Sequence, residues 1–370
     1  MKETILGINL NNLTNNIRQI KSLKLAKNKT CIAIIKSDAY GHGLLRIAGT
    51  LLENGVNFFG IVNIDEAYKL QKNQKGIKLL MLAGVDEYYI ADAINMGLSL
   101  AVYERDRLEL LLNYCHKLNK KANIHLKFDS GMNRLGFNVE EIKDTITLIK
   151  KNKACFNIEG LFSHFSSASS DLEYTLFQLS NFKEIIDVFS SNGLFPEYIH
   201  ISASSAICNK DIEYDFSNAI RPGIAIYGIS PNSCKAGLKP LMTLKSSIIQ
   251  IKKIKKGSFV SYNNTYQAKE DMNIAVIAAG YDNGIPRLLS NKGRVIIKDE
   301  YAGIIGNITM NMLIADITKI KNAAVDDEVI IAGESKTKKV TIDEIAKVAQ
   351  TIPYEICLNL GKSNKRIYII

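Results

Sequence analysis

The 370-residue sequence predicts an α/β protein in which an N-terminal (β/α)8 TIM-like barrel is followed by a mainly β C-terminal domain. From residue 31 to about residue 227, short apolar runs alternate with longer amphipathic stretches, as in repeated βα units around a parallel sheet. From about residue 236 the apolar segments are separated by turn residues instead of long helices. The predicted domains are therefore a barrel at residues 1–235 and a β domain at residues 236–370.

Eight strand candidates occupy the N-terminal part, and each is a short apolar run rich in β-branched or aromatic residues. They are CIAIIK (31–36), FFGIV (58–62), KLLMLA (78–83), LSLAVY (98–103), NIHLKFD (123–129), NIEGLF (157–162), YIHIS (198–202) and AIRP (219–222). Helical patterns separate them, and several end in the Gly or Asn that favours a helix C-terminus. Eight strands with crossovers in roughly 200 residues indicate a closed barrel. A doubly wound open sheet is the alternative, but no GxGxxG sequence follows the first strand.

The C-terminal part consists of β-rich segments such as LMTLKSSIIQIKKI, NIAVIAAGY and DEVIIAGE. One helix is predicted at TIDEIAKVAQT, where Thr341 and Glu344 form a capping-box pattern. We expect this helix to end before Pro353, because proline does not continue a helix.

The composition is that of an ordinary soluble globular protein, with 46% hydrophobic and 23% charged residues. No apolar run approaches the ~20 residues that span a bilayer, and the first residues lack the apolar core of a signal peptide. The six cysteines are scattered singly, without a CxxC pair or a histidine at metal-ligand spacing. We therefore expect a cytoplasmic protein with reduced thiols, no metal and no membrane partner.

The net charge of +10 raises the possibility of a nucleic-acid partner. The lysines are nevertheless spread along the chain, and the densest cluster, IKKIKK at residues 251–256, alternates with apolar residues as in a half-exposed strand. The charge therefore indicates a solvated surface, and no nucleic-acid partner is expected.

Functional side chains of a (β/α)8 barrel lie on the loops after the C-terminal ends of its strands. The first predicted strand ends at Lys36 and is followed by SDAYGHG. A lysine that an apolar strand delivers to the barrel mouth suits Schiff-base chemistry, because desolvation lowers the pKa of its amine. The alternative is a lysine whose aliphatic stem packs on apolar surface while its amine reaches water.

Other loops carry further candidates. Arg134 follows a Gly turn in KFDSGMNRLGF, and its guanidinium could bind a substrate carboxylate or form a surface ion pair. His164 in SHFSSA could stack on a cofactor or be a core histidine. After the last two strands, Ser204 and the backbone amides of Gly223 and Ile224 could bind a phosphate, since such barrels often bind phosphate there.

Taken together and in this order, these motifs resemble those of the alanine racemase family, whose members bind pyridoxal 5′-phosphate on a barrel with a C-terminal β domain. The resemblance runs from about Ile32 to the end of the chain. AIIKSDAYGHG resembles the cofactor-lysine signature, which implies that Lys36 holds the cofactor and that Tyr40 contacts its phosphate. KFDSGMNRLG resembles the segment whose arginine binds the substrate carboxylate, here Arg134, and Lys127 matches a lysine that is often carbamylated and steadies that arginine.

The remaining motifs extend the resemblance. GLFSHF places the ring-stacking histidine at His164, and RPGIAIYG places at Arg221 the arginine that faces the pyridine nitrogen. In the C-terminal part, SYNNTY, GYDNGIPR, TMNM and PYEI resemble the segments of the second catalytic base, the substrate pocket and the phosphate site, and they give Tyr262, Tyr281, Met310 and Tyr354.

The resemblance implies racemisation of L- and D-alanine, with Lys36 and Tyr262 as bases on opposite faces of the α-carbon. It also implies a supply of D-alanine for peptidoglycan, and a homodimer whose subunits share their active sites. Three positions depart from the family pattern. Asn311 stands where an acid is usual, Ala203 where Asn is frequent, and Thr309 where Cys is frequent.

Other functions stay open at this point. Asn311 is compatible with a broader racemase that accepts serine or another small amino acid. A non-catalytic pyridoxal-phosphate carrier would resemble only the barrel, whereas this chain has Tyr262 and Tyr354 on a second domain. A decarboxylase of the same general fold would place an acid at the ring nitrogen, where this chain has Arg221.

Overall fold

The structure is a computed structural model, and it describes residues 4–231, 234 and 236–370. Two compact units are present. One, the β unit, contains the N-terminal residues through Leu13, Tyr40–Gly43 and Lys239–Ile370; the other, the barrel unit, contains Thr14–Ala39 and Leu44–Leu238. The predicted boundary after residue 235 lies outside the described residues.

The strands are β1 (Ile5–Asn9), β2 (Thr30–Ile34), β3 (Phe58–Ile61), β4 (Lys78–Met81), β5 (Ser99–Val102), β6 (Ala122–Lys127), β7 (Phe156–Phe162), β8 (Tyr198–His200), β9 (Ala219–Ile220), β10 (Met242–Ile254), β11 (Met272–Ile277), β12 (Arg294–Ile297), β13 (Glu300–Gly303), β14 (Leu313–Asp316), β15 (Glu328–Glu334), β16 (Lys339–Val340) and β17 (Lys365–Ile369). The helical segments are α1 (Leu10–Ser22), α2 (Lys36–Tyr40), α3 (Leu44–Glu53), α4 (Ile64–Asn73), α5 (Ile90–Asn95), α6 (Arg105–Leu118), α7 (Ile142–Lys151), α8 (Leu172–Ser191), α9 (Ser204–Ile207), α10 (Ile342–Val348) and α11 (Pro353–Ser363).

The barrel unit contains eight parallel strands in the order β8-β7-β6-β5-β4-β3-β2-β9, and each coincides with a predicted apolar run. The predicted (β/α)8 barrel and mainly β C-terminal domain are thus confirmed. The ends of this sheet, β8 and β9, meet beyond their last residues. The Arg221 amide donates to the Ser202 carbonyl at 2.9 Å, and Ala203 forms a parallel bridge with Arg221. The barrel therefore closes beside two of the predicted site residues, Ser204 and Arg221.

A strained turn, α2, follows the first barrel strand. Ser37, Asp38, Ala39 and Tyr40 all have φ of 54–55°, which is left-handed backbone that L-residues avoid at roughly 1–2 kcal/mol each. Two hydrogen bonds through Asp38 stabilise the turn. Its amide donates to the Glu66 carboxylate at 2.9 Å, and its own carboxylate accepts from the Leu44 amide at 2.8 Å. This turn ends β2 at Ile34, two residues before the predicted end.

The β unit is organised around β10, a 13-residue strand that pairs with β1, β11 and β15. The sequence analysis did not anticipate β1, which is antiparallel to β10 and parallel to β17. Leu6 and Ile8 on β1 are fully buried, as their alternation in ILGIN predicts for a strand with one face in the core. A second small core contains Val260, Met272 and Ile305.

Pro353 begins a helix that was not predicted, α11, where it occupies the first turn. Proline is tolerated there because the first helical amides have no partner within the helix. Gly41 packs against α11 so closely that a Cβ on it would lie 2.6 Å from the Cys357 carbonyl oxygen. The contact brings Tyr40 next to Tyr354, with ring centroids 5.8 Å apart.

The predicted capping box of α10 is only half present. The Thr341 hydroxyl accepts a hydrogen bond from the Glu344 amide at 3.0 Å, as predicted. The Glu344 carboxylate, however, accepts from the Nε and Nη2 atoms of Arg294 at 2.7 and 2.9 Å. A bidentate guanidinium pair outcompetes the return bond to the cap amide.

We expect Thr341→Ala to lower the free energy of unfolding by about 1 kcal/mol, because it removes the only side-chain acceptor of this N-cap. Urea unfolding followed by circular dichroism measures the change. Thr341→Ser is the control, since it keeps the hydroxyl. Equal midpoints for the Ala and Ser variants would contradict the assignment of the cap.

Candidate active site

Lys36 lies just beyond the C-terminal end of β2, in the barrel unit. Burial lowers the pKa of its amine, and the Arg134 cation lowers it further, while the Glu66 carboxylate opposes both. An amine with a lowered pKa has a larger nucleophilic neutral fraction, as a Schiff-base lysine requires.

Lys127, the last residue of β6, is a buried amine. Burial, followed by the cations of Arg134 and Arg221, lowers its pKa to about 8. The loop after β6 contains the Gly turn predicted before Arg134, but the role of Asp129 in this turn was not predicted. The Asp129 carboxylate accepts from the Gly131 amide at 2.7 Å and the Arg134 amide at 3.1 Å. Asp129 therefore fixes the backbone from which the exposed Arg134 projects.

Arg221 is 3% exposed, and its guanidinium donates to five acceptors. Three are carbonyl oxygens, those of Ser163, His200 and Ile201, at 2.7–3.0 Å. The other two are the Nδ1 atoms of His164 and His200. All five bonds use Nη1 and Nη2, which leaves the Nε–H as the donor for a ligand. Burial, the largest effect, lowers the Arg221 pKa to about 10, so the group is a cation at neutral pH.

His164 has a defined protonation state because a guanidinium only donates hydrogen bonds. Its Nδ1, 3.0 Å from Arg221 Nη2, must carry a lone pair. Burial and the neighbouring Arg221 cation also hold the His164 pKa well below its usual range. The neutral ring therefore carries its proton on Nε2.

The predicted phosphate site has a different arrangement from the one expected. Ser204 Oγ accepts hydrogen bonds from the amides of Gly223, at 2.8 Å, and Ala225, at 3.2 Å. These bonds leave the hydroxyl proton of Ser204 available to an external acceptor. The Gly223 amide already donates to Ser204. Direct phosphate binding by the amides of Gly223 and Ile224 therefore stays a prediction.

In the β unit, Tyr40 and Tyr354 form a tilted ring pair. Burial raises the pKa of both phenols, and the Tyr354 phenol contributes further to the rise at Tyr40. Both therefore stay protonated at neutral pH and can donate to an anion such as a phosphate.

Three other site residues of the β unit lie together at its surface, where they form the Tyr262 patch. It consists of Tyr262, Tyr281 and Met310, with side chains that are 70%, 43% and 55% exposed. Hydrogen bonds to backbone carbonyls join their loops. The Asn307 side-chain Nδ2 donates to the Tyr262 carbonyl at 2.8 Å, and the backbone amides of Tyr281 and Asp282 donate to the carbonyls of Thr309 and Met310 at 3.1 and 2.9 Å.

The departures from the family pattern have local partners. Asn311 Nδ2 lies 3.4 Å from an Asp282 carboxylate oxygen, so a carboxylate still stands beside this position. The Thr309 hydroxyl donates to the Met312 carbonyl at 3.0 Å. Sequence reasoning missed His200, although its place in the alternating run YIHIS indicates a side chain inside the barrel.

None of the helices in the described ranges is long and apolar enough to cross a membrane. The described residues also contain no group of three or more His, Cys, Asp or Glu side chains that could hold a metal ion.

Comparisons with known proteins agree with the geometry. Residues 8–231 match the family model "Alanine racemase, N-terminal domain", and residues 241–368 match "Alanine racemase, C-terminal domain". The alanine racemase of Borreliella burgdorferi (strain ZS7) is 36% identical over 366 residues, which are 98% of this chain and 96% of the relative.

Solved structures give the same result. An alanine racemase of Clostridium difficile 630 superposes with a TM-score of 0.90 at 32% identity, over 100% of this chain and 96% of its own. The alanine racemase of Bartonella henselae, solved with covalently bound pyridoxal phosphate, superposes with a TM-score of 0.89 at 26% identity, over 100% of both chains. These matches confirm the resemblance seen in the sequence.

We expect Lys127→Met to raise the free energy of unfolding at pH 7, because it removes a buried cation that faces two guanidinium groups. The folded-state pKa of about 8 lies below the unfolded value of ~10.4. Between these values the unfolded chain binds more protons, so the stability of the parent protein rises with pH. The advantage of the variant should therefore shrink from pH 8 upward.

Urea unfolding of the parent and the variant at several pH values measures this difference, and groups common to both proteins cancel. Buffers free of carbon dioxide and buffers with bicarbonate should be compared, because a carbamate on Lys127 would be an anion between two cations. In bicarbonate the variant would then be the less stable protein. A difference that is independent of both pH and bicarbonate would contradict the buried-cation assignment.

Proposed function

Because this chain belongs to the alanine racemase family, we propose that its barrel binds pyridoxal phosphate and that it interconverts L- and D-alanine. The observation that carries the proposal is the presence in the barrel unit of both Lys36, an amine with a lowered pKa at a strand end, and Arg221, a buried cation whose Nε–H has no acceptor among the described residues. The first can bind the aldehyde of the cofactor, and the second can donate to its ring nitrogen.

The donors present fit this cofactor. Ser204 retains a hydroxyl proton for its phosphate, and Tyr40 and Tyr354 are proposed to donate to the same group. His164 would lie against the pyridine ring, next to Arg221. Bound pyridoxal phosphate supplies a π system over which the negative charge left on the α-carbon is spread when its proton departs.

Arg221 keeps its proton at neutral pH, since its pKa is about 10. It would therefore donate a hydrogen bond to the ring nitrogen of a bound cofactor without protonating it, which would keep the electron sink weak. A weak sink favours rapid return of the proton to carbon over side reactions. The same argument disfavours a decarboxylase, whose ring nitrogen would face an acid.

Two groups are proposed to move the proton at the α-carbon. Lys36 acts on one face, and Tyr262 of the partner subunit acts on the other, because inversion requires a proton to leave one face and return to the opposite one. Arg134 is proposed to bind the substrate carboxylate, with Lys127 supporting it. The Nε2–H of His164 is the donor that would hold the phenol oxygen of Tyr262 of the partner subunit.

A homodimer is part of the proposal. Tyr262, Tyr281 and Met310 expose large apolar surfaces on loops that hydrogen bonds to their backbone carbonyls and amides hold in place. Ordered aromatic and methionine side chains on a surface are typical of interfaces. We propose that the Tyr262 patch enters the barrel mouth of a second copy, and that the D-alanine formed serves peptidoglycan synthesis.

Asn311 favours a second candidate, a racemase of the same family with a wider range of small substrates such as serine. The residue is an amide where an acid is usual, although the Asp282 carboxylate 3.4 Å away restores a charge nearby. Turnover of a panel of L-amino acids, followed by chiral chromatography, separates the two candidates.

We expect Lys36→Ala to lack the absorbance near ~420 nm that lysine-bound cofactor gives. It should therefore show no decrease in that absorbance on borohydride treatment. Racemisation should fall by roughly 10²- to 10⁴-fold or more.

Tyr262→Phe should keep the absorbance and still lose activity, with α-proton exchange in D2O slowed more for one enantiomer of alanine than for the other. Tyr266→Phe, which alters a phenol in the small β-unit core, is the control. Equal exchange of both enantiomers by Tyr262→Phe would refute the two-base assignment.

We expect a mixture of equal amounts of Lys36→Ala and Tyr262→Phe subunits, refolded or exchanged together, to recover about one quarter of the wild-type activity. Half of the dimers would be mixed, and each mixed dimer would hold one intact site made of Lys36 from one subunit and Tyr262 from the other. Each variant mixed with itself should stay inactive. No recovery in a mixture shown to contain mixed dimers would contradict the shared site.

A further inference from the structure

A chain of polar side chains runs through the interior of the barrel, where branched apolar residues are usual. It begins at Arg221 and continues through His200 and His125 to Glu159. His125 Nδ1 lies 2.9 Å from His200 Nε2, within hydrogen-bond distance. His125 Nε2 lies 3.7 Å from a Glu159 carboxylate oxygen, so this last link is an electrostatic contact and not a hydrogen bond. Lys78, at the start of β4, closes the other end with its amine 3.0 Å from Glu159. We call this set the Arg221–Glu159 chain.

The directions of the two hydrogen bonds made by His200 follow from Arg221, which can only donate. His200 Nδ1 therefore accepts, and the His200 proton is on Nε2. That proton faces His125 Nδ1, which must accept in turn, so the His125 proton is on Nε2 and faces Glu159. One donor-only group thus fixes two tautomers and places an acceptor at the end of the chain.

The charges agree with this direction. Burial and the Arg221 cation hold the pKa of His200 well below its usual range, and burial also lowers the pKa of His125, so both rings are neutral. Burial alone would raise the pKa of Glu159, but the nearby His125 ring, the Ser99 hydroxyl and the Lys78 ammonium outweigh it and lower the pKa to about 2. A fully charged carboxylate therefore lies at the end of a path of polarised neutral rings that starts at a buried guanidinium.

We propose that Glu159, acting through His125 and His200, is a positioning residue that holds the Arg221 guanidinium in the orientation that leaves its Nε–H for the cofactor. This inference rests on the proposed function. Two of the groups that accept hydrogen bonds from the Arg221 Nη atoms are side chains that could rotate away, the imidazoles of His164 and His200. A tautomer change at His200 would turn a donor toward Arg221 and force the guanidinium to move.

Gly160 shows that the barrel is built around this chain. A Cβ at this position would lie 2.1 Å from His125 Nδ1 and 2.5 Å from its Cε1, closer than side chains approach one another. The residue is glycine because the His125 ring covers its backbone. In NIEGLF, Glu159 thus supplies the carboxylate, and Gly160 leaves space for the His125 ring that faces it.

The first test needs no variant and no cofactor. The sequence contains five histidines, so ¹⁵N NMR of histidine-labelled apoenzyme can resolve their ring nitrogens. We expect His125, His164 and His200 to be neutral with the proton on Nε2 at pH 7. A proton on Nδ1 of His200 in the wild-type protein would overturn the proposal, whether or not the enzyme racemises alanine.

The second test uses Glu159→Gln, which keeps the shape but removes the charge and places an N–H group against either Lys78 or His125. We expect a mixed tautomer at His125 in the ¹⁵N spectrum, weaker cofactor binding, and kcat reduced by roughly 10-fold or more with KM changed less. Glu159→Asp should restore part of kcat. The control is Glu197→Gln, which removes the other carboxylate near Lys78, 3.8 Å away and 64% exposed, and should change none of these.

The outcomes separate the possible errors. A loss of thermal stability in Glu159→Gln with wild-type tautomers and kcat would show that Glu159 serves packing alone and overturn the proposal. Wild-type enzyme that shows the expected tautomers but no racemisation would overturn the proposed function and leave the direction of the chain intact. If Glu159→Gln does not fold, the wild-type spectrum still decides the matter.

Discussion

The buried guanidinium of Arg221 is the constraint on which the rest of the barrel depends. It is an almost fully buried cation that can only donate, so each group bonded to it must be an acceptor. Three backbone carbonyls and two imidazoles meet this demand. The carbonyls lie at or just beyond the ends of β7 and β8, and Arg221 follows β9, so the guanidinium also links β9 to β8 where the barrel closes.

Because Arg221 is positive, it determines what its neighbours can be. His164 and His200 are neutral, and the pKa of Lys127 is lowered to about 8, with burial as the main cause and the guanidinium groups as the next. The mouth of the barrel is thus rich in N–H groups. Such a site suits a ligand that carries a phosphate and a carboxylate, which are the anions of the proposed cofactor and substrate.

Strain is concentrated next to the proposed nucleophile. Four consecutive left-handed residues follow Lys36, and the carboxylates of Asp38 and Glu66 hold them in place. A turn of this kind persists only where its surroundings over-determine it. It ends the apolar strand abruptly and fixes the direction of the backbone at the residue that is proposed to hold the cofactor.

The sequence by itself determined the eight barrel strands, the β-rich C-terminal part and the order of the motifs, because each is encoded by a short run of neighbouring residues such as CIAIIK or GLFSHF. Only the tertiary structure decided that β1 joins the C-terminal sheet and that Glu344 pairs with Arg294. It also decided that the Gly223 amide donates to Ser204, and that Arg221 is connected through His200 to His125 and Glu159. These contacts join residues that are distant along the chain. The hydrogen-bond partner of a polar group depends on which residues folding brings next to it, and a local sequence pattern does not predict those residues.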